Sequence, residues 1–314
     1  MTTRLHDALF KTAFEAPADA AALLRELVPA AVQAAVAWET LDHEDGSFVD
    51  DTLADHHSDR LFSARLRAGP AERVYFLLEH QSTGDPTMPL RVLSYQVRIW
   101  DRFVKEQPGA RLAPVIAVLV SHVPGGWTAA RAFEDLFDPE VMAVSGLAAL
   151  VPRFSLVVED LMQLSNADLA ARLLGAFPKL ALWLLRDARD PAGLLASFDA
   201  WIPSMLELGR TRAGLARLAV LITYMFRVID PVNQEELRAK IRALGPRIEE
   251  VAMSIAEHLY EEGRIATLRR LLVFKFQTLG AEYEARLQAA TPEAIDRYLQ
   301  RLLTADSVAA VFED

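Results

Sequence analysis

The stretch from Ser58 to Ser82, SDRLFSARLRAGPAERVYFLLEHQS, constrains the fold more than any other part of the chain. Val74-Tyr75-Phe76-Leu77-Leu78 is an apolar run short enough to be a fully buried strand, yet it continues into Glu79-His80-Gln81. A buried carboxylate is costly unless a cation, a metal or water faces it, so this polar end implies a partner. Residues two apart share a strand face; Glu79 and Gln81 therefore project together and His80 projects the other way. Upstream, Asp59–Arg67 alternates as a strand, with Phe62, Ala64 and Leu66 on one face and Ser63, Arg65 and Arg67 on the other. Ala68-Gly69-Pro70-Ala71 supplies a turn, so Arg73–His80 returns antiparallel and brings the start of one strand beside the end of the next. Asp59 and Glu79 could then share a divalent cation. Two carboxylates, waters and a backbone carbonyl, such as that of His80, form an all-oxygen set that suits Mg2+ or Mn2+. Gln81 can orient water or a phosphate oxygen, although it can neither act as a general base nor supply positive charge.

Around this hairpin the chain reads as alternating elements. Leu5, Leu9, Phe10 and Phe14 recur at helical spacing, and a second helix follows Pro17 and ends before Pro29. His6-Asp7 invites comparison with a metal phosphohydrolase, but the further histidines and acids of such a site are not evident; a first-turn acid favoured by the helix dipole is the simpler account. Glu39–Asp59 is strongly acidic and reads as solvated loop charge. His56-His57 has no second histidine pair at ligand spacing, which argues against zinc. A helix is predicted over Met88–Lys105, with Arg91, Tyr95 and Arg98 on one face and apolar surface from Leu90, Val92, Leu93, Val97 and Trp100. Those three residues could line a phosphate path or form the polar outer face of a surface helix. Pro114–His122 and Arg153–Glu159 are further strands, which makes residues 1–160 an α/β domain with a mixed sheet. From Leu161 onward only helices are predicted: one opened by a capping box at Ser165–Asp168, then Leu194–Leu208, Arg212–Val228, Glu235–Arg242, Arg247–Glu262, Arg264–Gln277 and Pro292–Leu303. Residues 161–314 are thus expected to form an all-α C-terminal region.

Composition narrows the function. The 314 residues are 52% hydrophobic and 24% charged, a globular balance, and the absence of cysteine excludes disulfides, thiolate metal sites and a cysteine nucleophile. No secretory leader pattern opens the chain and no apolar stretch is long enough for a confident membrane span, so a soluble, cytoplasmic protein without a membrane partner is expected. A net charge of -10 argues against general nucleic-acid affinity, which rests on Lys and Arg contacts to phosphate. A local basic face or a metal-assisted site remains compatible with it.

An Asp followed by a strand ending in Glu-x-Gln resembles the PD-(D/E)xK nuclease core with Gln at the Lys position. The co-linear blocks HDALFK, GSFVDD, HHSDRLFSARL, VYFLLEHQS and RVLSYQVRIW, over about residues 5–160, resemble the Rpn family of recombination-promoting nucleases, also labelled YhgA-like putative transposases. That resemblance implies a restriction-endonuclease-like fold and a metal-dependent DNA endonuclease. Asp59 and Glu79 would be its metal ligands and Gln81 the residue replacing Lys, with Asp7 a candidate accessory carboxylate and Arg91, Tyr95 and Arg98 candidates to line the phosphate path. The last residues, 264–314, resemble a small helical module appended to such nucleases; its Arg264, Arg269, Arg270 and Lys275 could touch DNA or a partner, or be solvated charge. The alternative is a catalytically inactive, nuclease-like protein that binds DNA or protein, in which the same carboxylates make structural ion pairs with residues such as Arg60 or Arg73. A homodimer would suit a cut across both strands of DNA.

Overall fold

A computed structural model describes residues 2–44, 60–69 and 73–313 of the chain. Helices α1 (Thr2–Ala13), α2 (Pro17–Leu27) and α3 (Ala30–Ala35) lead into strands β1 (Val36–His43), β2 (Arg60–Leu66) and β3 (Arg73–Gln81). Helix α4 (Met88–Glu106) crosses over to β4 (Val115–Ser121), and an irregular segment containing α5 (Pro139–Met142) leads to β5 (Val157–Asp160). The strands form one five-stranded sheet in the order β1-β2-β3-β4-β5. β1, β2 and β3 pair antiparallel, whereas β3, β4 and β5 pair parallel. The helical crossover is what allows the parallel pairing, because a tight turn can only return a strand antiparallel.

β3 is the centre of the sheet and is buried from Val74 to Gln81. Its two faces carry different layers. Leu77 and Tyr75 pack with Leu61, Tyr95 and Ile99, so this face lies under α4. Phe76 packs against Trp38 and His80 stacks on Phe10, so the opposite face lies under α1. α4 is held to the start of β4 by side-chain donors to the backbone: Gln96 to the Val115 carbonyl at 3.1 Å and Trp100 to the Ala113 carbonyl at 2.8 Å.

After the sheet come α6 (Asn166–Ala171), α7 (Ala176–Asp187), α8 (Pro191–Ser197), α9 (Ile202–Gly209), α10 (Arg212–Val228) and α11 (Gln234–Arg242). α7 is apolar on nearly every side and fully buried over Leu180–Leu185, the signature of an interior helix; α1, α9 and α10 pack against it. The chain ends with α12 (Pro246–Phe276), α13 (Ala281–Gln288), α14 (Pro292–Leu302) and α15 (Val308–Val311). Two compact units result, Met1–Lys240 and Ile241–Asp314. Within the first unit α7 and α10 pack with α1, so helices that follow the last strand share its core. The second unit has its own core of Leu268, Leu272, Leu287, Ile295, Tyr298, Val311 and Phe312.

Three local expectations need correction. Val36–His43, whose second half belongs to the run read as acidic loop, is an edge strand; Val36, Trp38 and Leu41 are buried while Glu39 and Asp42 stay exposed. Charge on an edge strand is a normal guard against pairing with other chains. Of the strand predicted at 153–159 only 157–159 join the sheet, where β5 runs on to Asp160, while Ser155 bridges back to Ala132. The helices predicted on either side of Gly263 are one helix of 31 residues, which stops where Gln277 adopts a φ of 68°.

Candidate functional site

Glu79 sits at the end of β3, 2% exposed, on the face covered by α4. Its Oε1 accepts a hydrogen bond from Gln81 Nε2 at 2.9 Å and pairs with the Arg91 guanidinium from the first turn of α4. Arg91 also donates through Nη1 to Asp85 Oδ2 at 3.0 Å. Asp85 in turn accepts from the backbone N–H and the hydroxyl of Thr87, both at 2.8 Å, which fixes the turn that launches α4. The pairing expected from strand parity is therefore present: Glu79 and Gln81 face one way together. The partner that the buried carboxylate needs includes a guanidinium delivered by the crossover helix.

Arg91, Tyr95 and Arg98 share a face of α4, and it is not the outer one. Tyr95 is buried with Ile99 against the sheet, and Arg91 and Arg98 are half-buried. Leu90 and Val97, expected to add to its apolar surface, are exposed alongside polar Ser94 and Asp101. Arg98 Nη1 is buried with no hydrogen-bond partner among the described residues.

On the other face of β3 the structure builds a cluster that the sequence did not announce. His80 is hydrogen-bonded through Nδ1 to Asp7 Oδ1 at 2.9 Å and lies between Phe10 and His122, each ring centroid 4.9 Å away. His6 meets His122 edge-on at 4.8 Å and shares a 2.6 Å hydrogen bond with the Tyr224 hydroxyl from α10. Burial pushes the three imidazoles down, His6 to about 4 and His122 to about 2; neighbouring histidines push the same way at His6 and His122 and Arg189 at all three, while Asp7 pulls His6 and His80 back up. His6 and His122 are therefore neutral at pH 7. The stacked rings present faces rather than nitrogens to one another, so the cluster packs as a polar core and not as a ligand set. Asp7 belongs to it, and β3 separates Asp7 from Glu79. The only sequence signal for the cluster was position: His122 follows β4 as Gln81 and Ser82 close β3.

Asp59 lies outside the described residues, as do His56 and His57. The antiparallel pairing of β2 with β3 is described as far as Arg60 opposite Leu78. Among the described residues no group of three or more His, Asp or Glu side chains is arranged to hold a metal ion. Glu79 nevertheless offers a hard oxygen donor of the kind a divalent cation takes, with Arg91 supplying the countercharge at its Oε1. Asp160, at the end of β5, is committed elsewhere: it accepts from the backbone N–H groups of Trp127 and Met162 at 2.8 and 3.2 Å. Among the described residues no helix is long and apolar enough to cross a membrane.

Comparison with known proteins places these features in a family. The family model described as "Putative transposase, YhgA-like" matches residues 4–208, which span the sheet, α4, the histidine cluster up to Arg189, and α7. The recombination-promoting nuclease RpnA of Escherichia coli (strain K12) is 26% identical over 263 residues, 82% of this chain and 84% of the relative. The recombination-promoting nuclease RpnD of Escherichia coli O157:H7 is 26% identical over 264 residues, 83% of this chain and 96% of the relative. A protein of Escherichia coli (strain K12) named as the inactive recombination-promoting nuclease-like protein RpnE is 25% identical over 267 residues, 83% of each chain. No solved structure matches the chain. With well over half its length matched, the chain belongs to the YhgA-like putative transposase family.

Proposed function

We propose that this protein is a metal-dependent DNA endonuclease with a PD-(D/E)xK-type, restriction-endonuclease-like core, in which Asp59 and Glu79 are the metal ligands. The single observation that carries the proposal is the end of β3. There a buried carboxylate shares a face with Gln81 and is matched to positive charge. The described β2–β3 pairing ends at Arg60 and Leu78, one residue short of Asp59 and of Glu79 in sequence. Two relatives named as recombination-promoting nucleases, each covering more than four fifths of the chain, support the same activity.

Asp59, Glu79 and the backbone carbonyl of His80 would hold Mg2+ or Mn2+, an oxygen set matched to a hard cation. Such an ion, when bound, lowers the pKa of water and offsets charge on a phosphodiester under attack. The protein's own groups do the positioning. Gln81 is held beside Glu79 and orients the attacking water through its amide. Arg91, bridging Glu79 and Asp85, balances the carboxylate in the ligand-free protein and can turn two donors toward phosphate oxygens. Tyr95 and Arg98 continue that face of α4 along the phosphate path. Since the chain is acidic overall, contact with DNA falls to these local cations.

A second reading is favoured by one feature: the Glu79–Arg91 pair already gives the buried carboxylate a countercharge without any metal. In that case the protein is a catalytically inactive relative that binds DNA or protein, like the family member named as inactive. Nicking of supercoiled plasmid with Mg2+, Mn2+ or chelator separates the two. Wild type is expected to cut only with metal, and Asp59→Asn and Glu79→Gln to lose at least ~10²-fold in rate while keeping their circular dichroism. Equal cleavage by wild type and both variants would sink the site assignment. Metal-independent silence of the wild type would favour the second reading.

A further inference from the structure

We infer that Asp7 and His80 are positioning residues: from the α1 side of the sheet they fix the end of β3, so that Glu79, the His80 carbonyl and Gln81 keep one geometry toward a bound cation. This rests on the metal site proposed above, and it gives Asp7 a role other than that of an accessory ligand.

The last peptides of a strand normally fray, because they lack neighbours. β3 ends differently. The His80 ring is buried and stacked between Phe10 and His122, with interplanar angles of 21° and 20°. Stacking sets the plane of the ring, and the 2.9 Å bond between Nδ1 and Asp7 Oδ1 sets its rotation within that plane. A carboxylate oxygen can only accept, so the Nδ1 proton is the one donated. Among the described residues this is the ring's only hydrogen bond, since Nε2 is buried with no partner. The two carbonyls that follow are tied as well: that of Gln81 accepts from the His122 N–H at 3.0 Å, and that of Ser82 accepts from Arg189.

Packing alone does not call for histidine here. Phe76 and Leu78 fill the same face of β3 with apolar side chains, and an imidazole nitrogen buried without a partner costs stability. What histidine adds is a directional bond to a second element, which locks its rotamer and with it the backbone.

That backbone is the one the proposed metal site uses. Peptide groups alternate along a strand: the Gln81 carbonyl points to the β4 side, so the His80 carbonyl points to the β2 side, where the described pairing ends at Arg60. Glu79 and Gln81 flank it in sequence and bond to each other on the opposite face from the His80 ring. A rotation of the His80 peptide would therefore move the carbonyl and both side chains together. β3 lies between Asp7 and Glu79, so Asp7 acts through His80. Partners that orient ligands from behind in this way contribute about 10–100-fold in metal affinity.

Mn2+ binding to the full chain without DNA, followed by electron paramagnetic resonance of the free ion, tests this. Asp7→Ala removes the acceptor and should weaken Mn2+ binding at least about tenfold, whereas Asp7→Asn, whose Oδ1 still accepts from Nδ1–H, should stay within about twofold of wild type. An accessory metal ligand would behave otherwise: an amide has no charge to offer the ion, so both variants would lose alike. Leu24→Ala, a truncation of a buried side chain in α2, is the control; it should lower the melting temperature and leave Mn2+ affinity unchanged. In plasmid nicking, Asp7→Ala should lower kcat and leave KM for DNA unchanged, since it removes no contact to DNA. Unaltered Mn2+ affinity in Asp7→Ala, or an Asp7→Asn variant as weak as Asp7→Ala, would overturn the inference and leave the metal site standing. A wild type that binds no Mn2+, or binds it equally well after Glu79→Gln, would overturn both.

Discussion

Arg91 decides how the buried end of β3 is tolerated. Its guanidinium joins Glu79 to Asp85, and a carboxylate this deeply buried is costly once its cation is removed. Arg91→Ala is therefore expected to destabilise the protein by about 3 kcal/mol, read from denaturant unfolding. If Glu79 is a metal ligand, Mg2+ should raise the melting temperature of Arg91→Ala more than that of wild type, because the ion takes over the missing charge. No difference between the two would remove Glu79 from the metal site. From strand parity alone the pairing of Glu79 with Gln81, and the exclusion of His80, could be read. Arg91 was visible only as one member of a helix face. Its role depends on how α4 lands on the sheet, and no sequence spacing encodes that.

Elements announced by local chemistry were the legible ones. α10 and α14 begin where Thr211 and Thr291 cap them, and β3 and β4 read directly as apolar runs. β1 was hidden because its exposed positions carry the same acids as the following segment, so only its buried Val36, Trp38 and Leu41 distinguish it. α12 was split in two because glycine is usually punctuation, and this one is not. Two glycines now make opposite predictions. A Cβ at Gly214, near the start of α10, would sit 2.0 Å from the Leu208 carbonyl oxygen of α9, so Gly214→Ala must push two backbones apart. It is expected to cost about 1–3 kcal/mol of stability. Gly263→Ala meets nothing and should add up to about 1 kcal/mol through helix propensity. Paired denaturation curves of the two variants check both signs.

At the scale of the first unit, the histidine cluster ties α1, β3, β4 and α10 together. His6 faces His122, Tyr224, His80, Asp7 and Arg189, and its proton affinity is lowered from the ordinary 6.5 to about 4. The folded state thus binds a proton less readily than the unfolded chain. The stability gained by keeping His6 neutral is complete above about pH 6.5 and is lost as the pH falls toward 4. Melting temperature is expected to drop over that window, and less steeply for His6→Phe than for wild type. Identical slopes would show that His6 does not contribute.

The sequence by itself determined the alternation of strands and helices, the face shared by Glu79 and Gln81, and the family, because each is written in local period or in co-linear motifs. Only the tertiary structure decided that Arg91 neutralises Glu79 and that Asp7 of α1 serves His80 on the opposite face of β3. It also decided that His6, His122 and Tyr224 converge from residues as far apart as 218 positions. Those contacts are set by the register of β3 on β4 and by the packing of α1 and α4 on opposite faces, which are properties of the assembled layers and not of any one segment.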